Sequence, residues 1–136
     1  MHESIETTMG EVSSREKTEA LHAFMKTLAP APALRGSLSE LEQKKGMTIF
    51  ETLRCDECHS PPHFTDPESY DVGLTDEVGH THFNPPSLLG VSQRTHWLHD
   101  GRAKSLRSIF EDHHHMIRED LPDQDLSNLL RFLESL

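Results

Sequence analysis

Residues 55 to 59 read Cys55-Asp56-Glu57-Cys58-His59, a C-x-x-C-H run that contains both cysteines of the chain. Two thiols at this spacing reach the two vinyl groups of one haem, and the histidine that follows then lies under the iron. The run therefore points to one covalent haem c, held by Cys55 and Cys58, with His59 as the proximal metal ligand. Two other chemistries use the same spacing. A redox C-x-x-C belongs after a strand in a βαβ pattern, and the chain carries no such pattern. A zinc site needs two further ligands, which the eleven histidines have the chemistry to supply, so that reading stays open.

Working outward, Ser39-Glu40-Leu41-Glu42 is a capping box that predicts a helix over about 40 to 53, leading directly into Cys55. Asp123 is expected to cap a last helix whose Leu126, Leu129, Leu130 and Leu133 form one apolar stripe. Gly46 and Phe50 lie one turn apart on the first of these helices, and Phe132 and Leu133 lie on the last. Small and aromatic residues placed in this way let two helices cross closely, and the crossing resembles that of the first and last helices in class I cytochromes c. Residues 60 to 85 are rich in proline, glycine and aspartate without periodicity, which predicts a long loop wrapping the haem. A short helical turn is expected over Ser87 to Val91, and Ser105 reads as the N-cap of a helix running through about His113 to Met116. The fold class expected is all-α, a class I cytochrome c-like helical domain.

Residues 1 to 14 are polar and without a sustained period, and read as a tail. Leu21, Phe24, Met25 and Leu28 then recur at helical spacing from Arg15 on, until Pro30 and Pro32 stop the helix and stiffen the connector. The expected organisation is residues 1–36 as tail, helix and proline-rich connector, the remnant of a preceding domain, and residues 37–136 as a mono-haem domain. Apolar residues are 34% of the composition and aromatics 6%, thin for a self-sufficient core but adequate where a porphyrin fills the centre. The formal charge of −10 leaves nothing to neutralise a row of phosphates, which excludes nucleic acid and favours a redox partner with a basic docking surface. No stretch approaches the roughly 20 apolar residues of a membrane span, and the N-terminus lacks the pattern of a signal peptide. Haem attachment to C-x-x-C-H takes place outside the bacterial cytoplasm, so the expected location is periplasmic or otherwise exported, with these residues cut from a longer precursor.

The iron's sixth position has many candidates: His63, His80, His82, His96, His99, His113, His114, His115 and Met116. His63 lies too close behind His59 to reach the opposite haem face. On a helix beginning near Ser105, His113 and Met116 share a face and His114 points elsewhere. The stretch from Asn84 to His113 resembles the C-terminal haem domain of the bacterial di-haem cytochrome c peroxidase family, which includes the maturation enzymes of methylamine dehydrogenase. The resembling pieces are Pro86-Ser87-Leu88, His99-Asp100-Gly101-Arg102 and Ser105-Leu106. Upstream, Cys58-His59, Phe64-Thr65-Asp66 and Val72-Gly73-Leu74 resemble the family's haem-wrapping loop, so the resemblance covers about residues 39 to 136.

In that family the residue seven past the counterpart of Leu106 is the distal position, a methionine in the peroxidases and a tyrosine in the maturation enzymes. Here it is His113. The resemblance thus implies a bis-histidine iron, with Met116 as the alternative ligand, and a lower potential than a His/Met pair would give. It also implies that Trp97 and His99 line the haem edge and that Arg94 and Arg102 pair with propionates. Leu89 stands where the family often has arginine, so one propionate contact is expected to have moved.

The family places its peroxide-binding haem in an N-terminal domain, whereas this chain has one C-x-x-C-H and resembles the electron-donating domain. Electron transfer within a larger peroxidase-like protein is the function expected. The alternative is a peroxidase-like enzyme with an open or displaceable distal site, in which His114, His115, Glu111 or Asp112 would act as acid or base. A haem-based sensor or a structural subunit is a third class.

Overall fold

The computed structural model describes residues 14–34, 38–117 and 121–136, and divides the chain into two units, Met1–Pro30 and Ala31–Leu136. In the first unit, helix α1 (Arg15–Met25) starts at Ser14, whose side chain accepts from the Lys17 amide. It stops before Leu28, and Leu21, Phe24 and Met25 are exposed along it.

In the second unit, α2 (Glu40–Thr52) begins with the expected capping box: Glu42 accepts from the Ser39 amide at 3.0 Å and Ser39 Oγ accepts from the Glu42 amide at 3.4 Å. A 3₁₀ turn over Cys55–Glu57 follows directly. Then come the two-residue strands β1 (Tyr70–Asp71) and β2 (His82–Phe83), a 3₁₀ turn at Val91–Gln93, and the helices α3 (Leu106–Glu111) and α4 (Asp123–Glu134).

α2 and α4 make the core. The close approach expected at Gly46 is present: a Cβ there would stand 2.2 Å from Phe132 Cβ, so only glycine lets the helices meet at this distance. Phe50, Phe132 and Phe64 of the loop pack edge to face with ring centroids 5.6 to 6.2 Å apart. Such pairs add about 0.5–1.5 kcal/mol beyond their buried area. Leu126, Leu129, Leu130 and Leu133 are buried together as the stripe on α4 requires.

Four expectations need amendment. The loop contains the antiparallel pair β1–β2, Tyr70 opposite Phe83, so the fold is mostly helical rather than all-α. The ribbon closes over Asp76, whose carboxylate accepts from the amides of Val78 and His80 at 2.9 and 2.8 Å. The turn expected at Ser87 to Val91 begins instead at Val91. Asp123 is the first helical residue of α4, with Pro122 in the cap position and no side-chain cap. Proline is pre-set for that boundary, and Asp123 and Asp125 then face the positive end of the helix dipole. Finally, α3 stops at Glu111, with Asp112 as its C-cap, before reaching the histidines. Asp and His are weak helix formers, and four in a row give the helix little reason to continue.

The long loop is stitched rather than loose. Thr65 donates to the Pro85 carbonyl at 2.6 Å, Ser87 to that of His63 at 2.7 Å, and the Leu88 amide to that of Phe64 at 3.2 Å. The Asn84 side-chain amide spans the carbonyls of Asp66 and Glu68 at 2.9 and 2.8 Å. These bonds fix the segment after His59 against the segment that begins the C-terminal half.

Candidate haem site

α2 ends at Thr52, and Arg54 turns the chain with a left-handed φ of 61°. The His59 amide then donates to the Cys55 carbonyl at 2.9 Å and the Cys58 amide to the same oxygen at 3.3 Å. One turn of backbone thereby presents both thiols and the imidazole together. Burial, then the charge of Asp56, pushes the Cys55 thiol up to about 11, and burial raises Cys58 as well. These thiols are held in the neutral form, unlike the depressed thiols of redox C-x-x-C sites.

His59 is partly buried, and its Nδ1 lies 3.2 Å from the Phe64 carbonyl oxygen. With the proton on Nδ1 this bond fixes the tautomer and leaves Nε2 with a free lone pair, the arrangement of a metal-ligating histidine whose ring is oriented by a backbone carbonyl. Burial is the main influence that lowers its pKa; the carbonyls of Phe64 and Pro86 oppose it, and the nearby Arg94 charge adds to it. The net direction favours a neutral imidazole, the form that binds metal.

Among the described residues only two buried side-chain polar atoms lack a hydrogen-bond partner, Trp97 Nε1 and His115 Nδ1. An unsatisfied buried donor costs about 1–3 kcal/mol, and such groups are rare in native proteins. Trp97 is fixed by an antiparallel bridge to Ala103, its amide donating to the Ala103 carbonyl at 3.0 Å. His115 interacts electrostatically with His59, and burial first, His59 second, bring its pKa down to about 4. One orphaned indole N–H and one orphaned imidazole close to His59 are what a haem with its carboxylates and second axial position would satisfy. The residues present therefore fit the group. No set of three or more His, Cys, Asp and Glu side chains gathers into a separate metal site among the described residues, which gives the zinc alternative no support.

The other expected residues are distributed as follows. Arg94 donates to the Ser87 carbonyl at 2.8 Å and lies close enough to His59 for its charge to be felt there. Arg102 is engaged with Asp100 Oδ2 at 2.5 Å and with the Thr75 carbonyl at 3.2 Å, tying the His99-Asp100-Gly101-Arg102 element to the loop. His99 is exposed and stacks on Phe83, with ring centroids 4.2 Å apart and planes 12° from parallel.

Beyond α3, His113 is partly buried, His114 and Met116 are exposed, and His115 and Ile117 turn back inward. His114 and Met116 adopt left-handed φ values of 46° and 56°. Left-handed backbone at a non-glycine residue costs on the order of 1 kcal/mol, so the two residues that flank His115 are held there by the surrounding fold. The shared helical face of His113 and Met116 does not form, because neither is helical. The sequence offers His115 both as one of several candidates for the sixth position and as a distal acid or base; its placement follows from where α3 ends and from the left-handed residues on either side of it.

No protein-family model matches the chain. It is 27% identical over 159 residues to the methylamine utilization protein MauG of Methylorubrum extorquens, covering 92% of this chain and 45% of that protein. The protein of the same name from Methylophilus methylotrophus is likewise 27% identical, over 161 residues, with 92% of this chain and 48% of that protein covered. The chain thus spans less than half the length of these curated relatives. A solved MauG-like protein associated with microbial copper homeostasis shares the fold, with a TM-score of 0.67 over 93% of this chain and 58% of that one, at 19% identity.

Proposed function

We propose that this chain, a relative of MauG and so of the bacterial di-haem cytochrome c peroxidase family, is a mono-haem electron-transfer domain of a larger peroxidase-like protein. The observation that carries the reading is the pairing of His59 Nδ1 with the Phe64 carbonyl beside the two partly buried thiols of Cys55 and Cys58, since it readies one imidazole nitrogen for a metal. A haem c, when bound, supplies a one-electron Fe(III)/Fe(II) couple.

Cys55 and Cys58 would hold the group covalently and His59 would hold its iron. Trp97 would donate its orphaned N–H to a carboxylate of the group. Arg94, already positioned by Ser87, would offset negative charge on the His59 side. A second histidine of this chain, if it also held the iron, would make the site bis-histidine and close it to small oxidants, which would favour electron transfer over peroxide chemistry. Glu111 and Asp112 are exposed and so are poorly placed to act as a distal acid or base.

The acidic surface suits a partner with a basic docking face, and association should slow as salt rises. No described helix is long and apolar enough to cross a membrane, and thioether formation places the working protein in the periplasm or another exported compartment. Residues 1–36 are read as the tail, helix and proline-rich connector left from a preceding domain of the parent protein, and residues 37–136 as the mono-haem domain.

Production with a cytochrome c maturation system tests this reading. The expected product has one haem per chain, no free thiols, a low-spin ferric spectrum and no rapid reaction with cyanide or peroxide. A colourless chain with two free thiols would refute haem binding; high-spin iron that consumes peroxide would establish the enzyme instead.

A further inference from the structure

We propose that His115, rather than His113 or Met116, is the second axial ligand of the iron. The assignment rests on the haem reading of Cys55, Cys58 and His59, and deepens it.

Past Glu111 the chain folds as a tight turn in which the His113 amide donates to Ser108, the His115 amide to Ile109 and the Ile117 amide to His114, at 3.2, 3.0 and 3.2 Å. Left-handed backbone at His114 and Met116 accompanies an alternation in exposure, with His114 and Met116 exposed and His113, His115 and Ile117 partly buried. His114 and Met116 are directed outward, Met116 with 58% of its surface exposed. His115 is directed inward, and the bond from its own amide to Ile109 anchors it to a buried residue of the core.

Of the triplet, only His115 has a ring nitrogen that is shut off from solvent and has no hydrogen-bond partner among the described residues. It also lies within electrostatic reach of His59. A neutral imidazole carries one N–H and one lone pair, and burying it unpaired beside a second neutral imidazole is unfavourable unless an electrophile joins them. Iron between the two rings supplies that electrophile. No ring nitrogen of His113 is buried without a partner among the described residues, and Met116 is exposed.

The test uses the full chain matured with haem, read by electron paramagnetic resonance and absorption of the ferric form rather than by activity. His115→Ala should convert the low-spin signal to high-spin, and added imidazole should restore it. His115→Met, which keeps side-chain bulk and a donor atom, should introduce the thioether-to-iron charge-transfer band at the red end of the spectrum and carries the test if the alanine variant does not accumulate. His113→Ala and Met116→Leu should leave the low-spin signal unchanged.

Loss of the low-spin signal in His113→Ala, with His115→Ala unaffected, overturns the assignment in favour of His113. A thioether band in the unsubstituted protein overturns it in favour of Met116. A wild-type chain that takes up no haem fails at the preceding step, recognised by the absence of a haemochrome and by two free thiols.

Discussion

Gly46→Ala isolates the contact on which the helix crossing depends. The added methyl would lie 2.2 Å from Phe132 Cβ and 2.9 Å from the Asn128 carbonyl oxygen. An ordinary carbon contact is about 3.5–4.0 Å, so α2 and α4 must separate by roughly 1.5 Å. Neither obstructing atom can swing aside, because one is a carbonyl oxygen and the other is the first carbon of a side chain. Shortening Phe132 to alanine would leave its Cβ in place and relieve nothing.

Overpacking of this kind typically costs about 1–3 kcal/mol, and rigid obstacles put Gly46→Ala at the upper end. Alanine returns about 1 kcal/mol through its better helix propensity. The net expected loss is therefore about 2 kcal/mol, or about 10 °C in Tm for a domain of this size. Thermal unfolding of the matured protein, followed by circular dichroism beside the exposed control Lys45→Ala, measures it. A Gly46→Ala protein as stable as wild type, or more stable, would refute the close crossing.

Three further outcomes follow from the structure. Trp97→Phe keeps the ring but removes the indole donor; if that donor meets a haem carboxylate, the matured variant should lose about 1.5–3 kcal/mol in denaturant unfolding, whereas unchanged or increased stability would show that no such bond exists. Tyr70, the chain's single tyrosine, donates to Asp66 at 2.9 Å, and this bond first, burial second, pushes its phenol up to about 12. Because the folded state then holds its proton more tightly than the unfolded one, this contribution to stability is complete below pH ~10, the ordinary tyrosine value, and is lost as pH rises towards 12. Ultraviolet titration should show ionisation moving back towards the ordinary value in Asp66→Asn, and no movement would dismiss the bond. Ser39→Ala should cost about 1 kcal/mol by opening the capping box of α2; equal denaturation midpoints would count against it.

Local chemistry in the sequence was sufficient for the parts of the molecule that local chemistry controls. C-x-x-C-H places two thiols and an imidazole on one turn whatever surrounds them, Ser39-x-x-Glu42 starts a helix by satisfying its own amides, and the leucine stripe of α4 faces the core because helical spacing leaves it no other arrangement. The glycine opposite an aromatic on a second helix was legible for the same reason: only small and large together allow a close crossing. Tertiary structure decided what depended on partners distant in the chain. The β1–β2 pair forms between two segments with no strand pattern, held by Asp76 and by bonds from Thr65, Asn84 and Ser87 across the loop. The tautomer of His59 depends on a carbonyl that the loop brings to it. Which histidine of the triplet turns inward was decided by where α3 gave out and by two left-handed residues beyond it. A one-residue change in that ending would exchange the inward and outward side chains, and three identical residues in a row contain nothing that distinguishes one ending from another.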